Sequence, residues 1–161
     1  MTQKESKIYK YWKEKENKLG ERILGKNICE YISGYRDFDR KTWGILYFTK
    51  NSFYFDIFHE KKFFFSSIFK VNRTDQDKKI NTFQIPWKDV IKIDLPKAKN
   101  YFLSIFFPPD SLTIVSYSDK SNYRDCKLVL NIHSKNERDR FMEAFQNYRI
   151  RSNQSKEINL Y

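Results

Sequence analysis

Three cations set close together, Arg36, Arg40 and Lys41 in the stretch YRDFDRKTW, are the residues of this 161-residue chain whose types and spacing best suit chemistry, and that chemistry is the holding of an anion. Arginine presents a planar fork of N–H donors that matches phosphate or carboxylate, and lysine adds a point charge. Asp37 and Asp39 stand among them and oppose an incoming phosphate unless their arginine neighbours pair with them, since opposite charges at short range cancel much of the local field. Covalent and acid–base chemistry has far less to work with. His59 and His133 are the only histidines, neither falls in HExxH, and no P-loop, GxGxxG or nucleophile elbow is present. His133 ends a strand pattern just before a helix start, where a structural role is expected. Cys29 and Cys126 lie far apart with no CxxC, which indicates neither a metal knuckle nor a disulfide framework; both are expected to be reduced and buried. The expectation is a protein that is not an enzyme and uses no cofactor.

Lys and Arg number 31 against 20 Asp and Glu, a net charge of +11 that favours anionic partners such as nucleic acid or an acidic membrane surface. Lys, Asn, Ile, Phe and Tyr are abundant and Ala98 and Ala144 are the only alanines, a bias that AT-rich coding produces unaided, so charge alone names no partner. The N-terminal residues are charged throughout, without the apolar core of a secretory signal, and the most apolar run, Phe63–Phe69, is too short to span a bilayer. This places the protein in the cytoplasm, with a peripheral position at the inner membrane face as the extension of that reading.

The element that organises the chain is Cys126–Arg149. Cys126, Leu128, Leu130 and Ile132 alternate with Lys127, Asn131 and His133 as in a strand with one buried face. Ser134 and Glu137 then form a capping box that starts a helix at Lys135, with Phe141, Met142, Phe145 and Tyr148 on its apolar stripe and Arg138 among the residues facing water. Ser6–Leu19 reads as a basic amphipathic helix ended by Gly20. It carries Ile8, Trp12 and Leu19 on one face, suited to docking on its own domain or to lying on a membrane. Between the helices Ile28–Tyr35, Thr42–Thr49, Ser52–Phe58, Phe63–Phe69, Tyr101–Phe107 and Leu112–Tyr117 read as strands, and Phe83–Leu95 as a strand interrupted at Pro86. Thr42–Phe58 is apolar on both faces, which requires cover on its outer side. Asn72–Lys79 and Ser118–Asp125 read as polar loops.

Three phrases in order carry a resemblance. WGILYFTKNSFYF (Trp43–Phe55), FQIPWKDVIKID (Phe83–Asp94) and KLVLNIHSKNERDRFMEAF (Lys127–Phe145) resemble successive segments of the GRAM and bacterial branches of the pleckstrin-homology superfold. The resemblance runs from about Ile23 to Tyr148. It implies a mainly β fold, a seven-stranded antiparallel barrel capped by a C-terminal α-helix, preceded here by an N-terminal helix. Residues 1–22 would be a basic helical extension, 23–150 the pleckstrin-homology-like domain and 151–161 a flexible tail. In the family's phosphoinositide binders the ligand lies between the first two strands and their loop, which here places Arg36, Arg40, Lys41 and Trp43 as ligand-binding residues. The sequence departs from that signature in its adjacent Arg40-Lys41 pair, and in having Phe141 and Phe145 where a helix Trp is usual. The function implied is a binding or adaptor module for a protein partner or an anionic phospholipid or inositol phosphate. A basic nucleic-acid-binding barrel is the alternative. Arg36 to Arg40 also resembles the RxxxR of cyclic-dinucleotide-binding PilZ barrels, whose second motif has no counterpart here.

Overall fold

Seven strands form one antiparallel sheet between two helices. The structure, a computed structural model, describes residues 3–36, 38, 40–58, 82–96, 112–121 and 124–158. Helix α1 (Gln3–Leu19) precedes β1 (Gly25–Ser33), β2 (Thr42–Phe48), β3 (Ser52–Ile57), β4 (Thr82–Pro86), β5 (Val90–Asp94), β6 (Leu112–Asp119) and β7 (Arg124–Asn131), and α2 (Lys135–Ile158) closes the chain. The strand order is β4-β3-β2-β1-β7-β6-β5. The fold is thus mainly β with a helix at each end, as the alternating strand patterns and the two helical stripes imply. The expected strands Phe63–Phe69 and Tyr101–Phe107 and the loop Asn72–Lys79 lie outside the described residues. The count of seven arises instead because Phe83–Leu95 divides into β4 and β5.

Period-two burial sets the two faces. Cys29, Tyr31, Leu46, Phe48, Phe53, Phe55, Phe83, Val115, Leu128 and Leu130 share the inner core, while Ile45, Tyr47, Tyr54 and Phe58 form a second cluster on the outer face. Trp12 and Leu19 of α1 pack on that second cluster, which explains why β2 and β3 are apolar on both sides. Gly20 ends α1 at φ 66, the left-handed conformation favoured just past a helix.

The sheet does not close into the expected barrel. β4 and β5 stand at its two ends, and no ladder joins them among the described residues. The cause is local. Pro86 has no N–H to give and ends β4, and a 3₁₀ turn, Trp87–Asp89, carries the chain to β5. The fully buried Trp87 ties that turn to the β2–β3 hairpin: its backbone N–H donates to Asn51 O at 2.8 Å, and its indole N–H to Thr49 O at 3.1 Å.

Helix α2 begins where the cap places it. Ser134 Oγ accepts the Glu137 N–H at 3.4 Å, while the Glu137 carboxylate turns to Arg140 at 3.0 Å, so only half of the capping box forms. Phe141 packs against Phe48, Phe53 and Trp87 with ring centroids 5.2–5.7 Å apart, and Phe145 lies 5.9 Å from Trp87. Three features differ from the sequence reading. The helix runs on to Ile158, so residues 151–158 are helical rather than a flexible tail, and Arg151 Nη2 donates to Lys50 O at 3.0 Å. Arg138 is buried rather than facing water. Cys29 is buried, but Cys126 is only half-buried; neither is in a disulfide.

Candidate functional site at the β1–β2 loop

The loop that carries Arg36, Arg40 and Lys41 is folded back onto the core. Gly34 leaves β1 at φ 99, and a Cβ there would stand 1.8 Å from the Lys127 carbonyl oxygen, so only glycine lets the chain pass this close to β7. Tyr35 then turns inward and stacks on Phe83 with centroids 4.2 Å apart. Phe38 follows it, buried against Tyr31 at 5.0 Å. Two hydrogen bonds of one phenol hold the turn: Tyr31 OH accepts the Tyr35 N–H at 3.0 Å and donates to Phe38 O. Tyr117 OH donates to Gly34 O at 3.0 Å. Side chains of this loop thereby fill the seam that no backbone ladder closes. Burial pushes the Tyr35 and Tyr117 phenols up, and for Tyr35 the nearby Arg36 charge only partly offsets it, so both stay protonated at neutral pH.

Arg36 is the outward corner of this turn, at φ 47. Its guanidinium lies over the Tyr35 ring at 5.3 Å, and its Nε stands 3.6 Å from Asp119 Oδ2 with the arginine side chain 49% exposed. The other oxygen of Asp119 accepts the Ser121 N–H at 3.0 Å and its hydroxyl at 2.6 Å, which fixes the β6–β7 turn beside the loop. A cleft of about 140 Å³ lies between them, lined by Tyr35, Arg36, Gln84, Asp89, Asp119 and Lys120 among others. Lys120 Nζ meets Asp89 Oδ1 at 2.9 Å. Each cation of the cleft therefore has a carboxylate, and an anion must compete for Arg36 rather than find it bare. Asp119 is itself buried, so the half-exposed guanidinium is the part of the pair that an anion reaches.

The structure brings Arg36, Arg40 and Lys41 to one loop, with Lys41 exposed and Arg40 half-buried. Asp37 and Asp39 lie outside the described residues. Trp43 sits elsewhere. On β2, opposite Glu30, it packs on the outer cluster and stacks on His133 at 5.4 Å, so it stands on the sheet rather than in the loop. The sequence reading missed Asp119, Asp89 and Lys120, which come from remote turns and carry no motif. It also missed the anchoring by Tyr35 and Phe38, for which the signal was two aromatic residues inside an otherwise polar stretch.

Nothing else assembles into reactive chemistry among the described residues. Burial pushes the Cys29 thiol far above its usual range, which keeps it protonated and inert. No group of three His, Cys, Asp or Glu side chains is placed to hold a metal ion, and no helix is long and apolar enough to cross a membrane. No family model matches the chain, and no curated protein matches it. Among solved structures, the C-terminal domain of an unknown protein from Leishmania infantum is similar over 86% of this chain and 98% of its own, with a TM-score of 0.52 and 13% identity. At that identity the likeness is one of fold alone.

Proposed function

We propose that this chain is a non-enzymatic binding module of pleckstrin-homology-like, GRAM-like plan that holds an anionic group of a protein partner or a membrane at its β1–β2 loop, in the cytoplasm or at the inner membrane face. The observation that carries the reading is the anchored loop. Its backbone is held by Tyr31, Tyr35 and Phe38, so the exposed Arg36 and Lys41 are presented on a rigid support, and binding costs little ordering of the chain. The strand order with a single C-terminal helix supports the family plan, and the net charge of +11 draws anions from a distance.

Titration calorimetry with inositol hexakisphosphate, which offers phosphates without a bilayer, tests this. Binding is expected at low salt and should weaken steeply toward physiological salt. Arg40→Glu with Lys41→Glu should weaken it far more than Lys26→Glu with Lys50→Glu, an equal change of charge at exposed positions at the other end of the β1–β2 hairpin. Equal binding of inositol hexakisphosphate and of an acidic protein by both double variants sinks the reading.

A further inference from the structure

Helix α1 is seated on the sheet by residues between Trp12 and Leu19. Ile8, Trp12, Lys15 and Leu19 fall on one stripe at helical spacing. The last three are seated: Trp12 lies edge-on to Tyr47 at 5.7 Å, Lys15 pairs with Asp56, and Leu19 packs on the outer cluster. Ile8 continues the stripe yet is 41% exposed, with Tyr9 at 62% and Tyr11 at 37% beside it. Leu24, 38% exposed, lines with Tyr9 a groove of about 1120 Å³ between α1, the α1–β1 link and the start of α2. Ile8, Tyr9 and Tyr11 are thus exposed within one turn of α1 and Leu24 shares a groove with Tyr9, while the other large apolar side chains exposed among the described residues lie at β5 and on α2.

The rim of this corner is basic. Lys13 is paired with Glu16 at 3.7 Å and Arg140 with Glu137 at 3.0 Å. Lys10, Lys18 and Arg22 are exposed and have no carboxylate partner among the described residues, while Glu14 and Glu21 are the opposing charges. Aliphatic and tyrosyl side chains ringed by surplus cations suit the headgroup region of an anionic bilayer, where the rings sit at the interface and each cation meets the surface potential. A second copy of this chain fits less well, since it brings the same +11 to the contact. We infer that the exposed part of α1 before Trp12, with Ile8, Tyr9 and Tyr11 entering the interface and Leu24 of the α1–β1 link beside the shared groove, docks the protein on an anionic lipid surface. This face lies apart from the β1–β2 loop and does not rest on the loop's proposed ligand.

Co-sedimentation with vesicles of phosphatidylcholine, with and without about one-third phosphatidylserine, tests it. The wild-type chain should bind only the serine-containing vesicles and should release as salt rises. Ile8→Ser with Tyr9→Ser leaves the charge unchanged at exposed positions and should weaken binding about tenfold by removing the inserted groups. Lys10→Glu with Lys18→Glu should weaken it by more than about tenfold. Arg40→Glu with Lys41→Glu, the same change of charge, should weaken it less than the α1 reversal does. The inference is overturned if the serine variant binds as wild type does, if the two charge reversals act equally, or if the serine variant instead abolishes a concentration-dependent dimer.

Discussion

The two helices of this protein cover opposite faces of one sheet, and they do so by different means. Helix α2 lays Phe141 and Phe145 on Phe48, Phe53 and Trp87, a contact made by aromatic rings, and the one cation it buries, Arg138, has no carboxylate partner among the described residues. Helix α1 is seated by Trp12 and Leu19, and by Lys15, whose ammonium reaches the buried Asp56 carboxylate. Asp56 also accepts the Thr82 hydroxyl at 2.8 Å and the Tyr47 hydroxyl at 3.3 Å. Apolar burial is gained in proportion to area and needs no partner, whereas a buried ion pair gives back in desolvation much of what it gains in attraction. One helix is therefore part of the core. The other is a strap whose hold depends on Trp12, Leu19 and one ion pair.

The largest expected effect tests the first half of that contrast. Phe141→Ala removes a fully buried ring and should lower the unfolding free energy by about 3–5 kcal/mol in denaturant melts. A loss under about 1 kcal/mol would mean that α2 is peripheral. Trp12→Ala should cost less, about 2 kcal/mol, because the ring is only half-buried. Its signature should be local: amide exchange in α1 accelerates while that of β7 and α2 follows only the global change. Uniform acceleration would show the two helices to be one cooperative unit.

The smallest effect concerns pH. Burial, with the Lys18 charge adding to it, lowers Lys15 to about 8, despite the contact with Asp56, so desolvation outweighs pairing at this site. The unfolded chain, with an ordinary lysine near 10.4, binds more protons than the folded one between about pH 8 and pH 10. Stability contributed through Lys15 must therefore rise with pH across that window. The stability of wild type minus that of Lys15→Met should move in favour of wild type as pH goes from about 8 to about 10; a flat difference would mean that the strap's cation is solvated.

What the sequence made legible follows the same division. Strand–helix punctuation at Ser134 and the alternation of Leu128, Leu130 and Ile132 express local rules, and the structure realises both. The double-sided apolar pattern of β2 and β3 announced a cover, and α1 supplies it. The extension of α2 beyond Tyr148 was not legible, because Arg149 to Ile158 shows no apolar stripe and is tied by Arg151 to the carbonyl of a remote turn residue. Nor was the candidate site. Arg36, Arg40 and Lys41 could be read from their charge, but the partners of the cleft come from Asp89 and Asp119, which are brought there by the 3₁₀ turn before β5 and by β6. No spacing in the sequence encodes that meeting.

The position of β1 in the middle of the sheet bears on how the molecule is made. β1 lies between β2 and β7, and Glu30 pairs with Asn131 near the other end of the chain. On a ribosome the β1–β2 and β2–β3 hairpins can form early, but one edge of β1 stays bare until Arg124–Asn131 has emerged. Non-local pairing of this kind slows folding, because loop closure must precede the contacts that reward it. A nascent chain stalled before β7 would display an unpaired strand rich in apolar residues. Such an edge invites pairing between chains, so truncation just upstream of Arg124 should yield aggregates rather than a smaller folded domain.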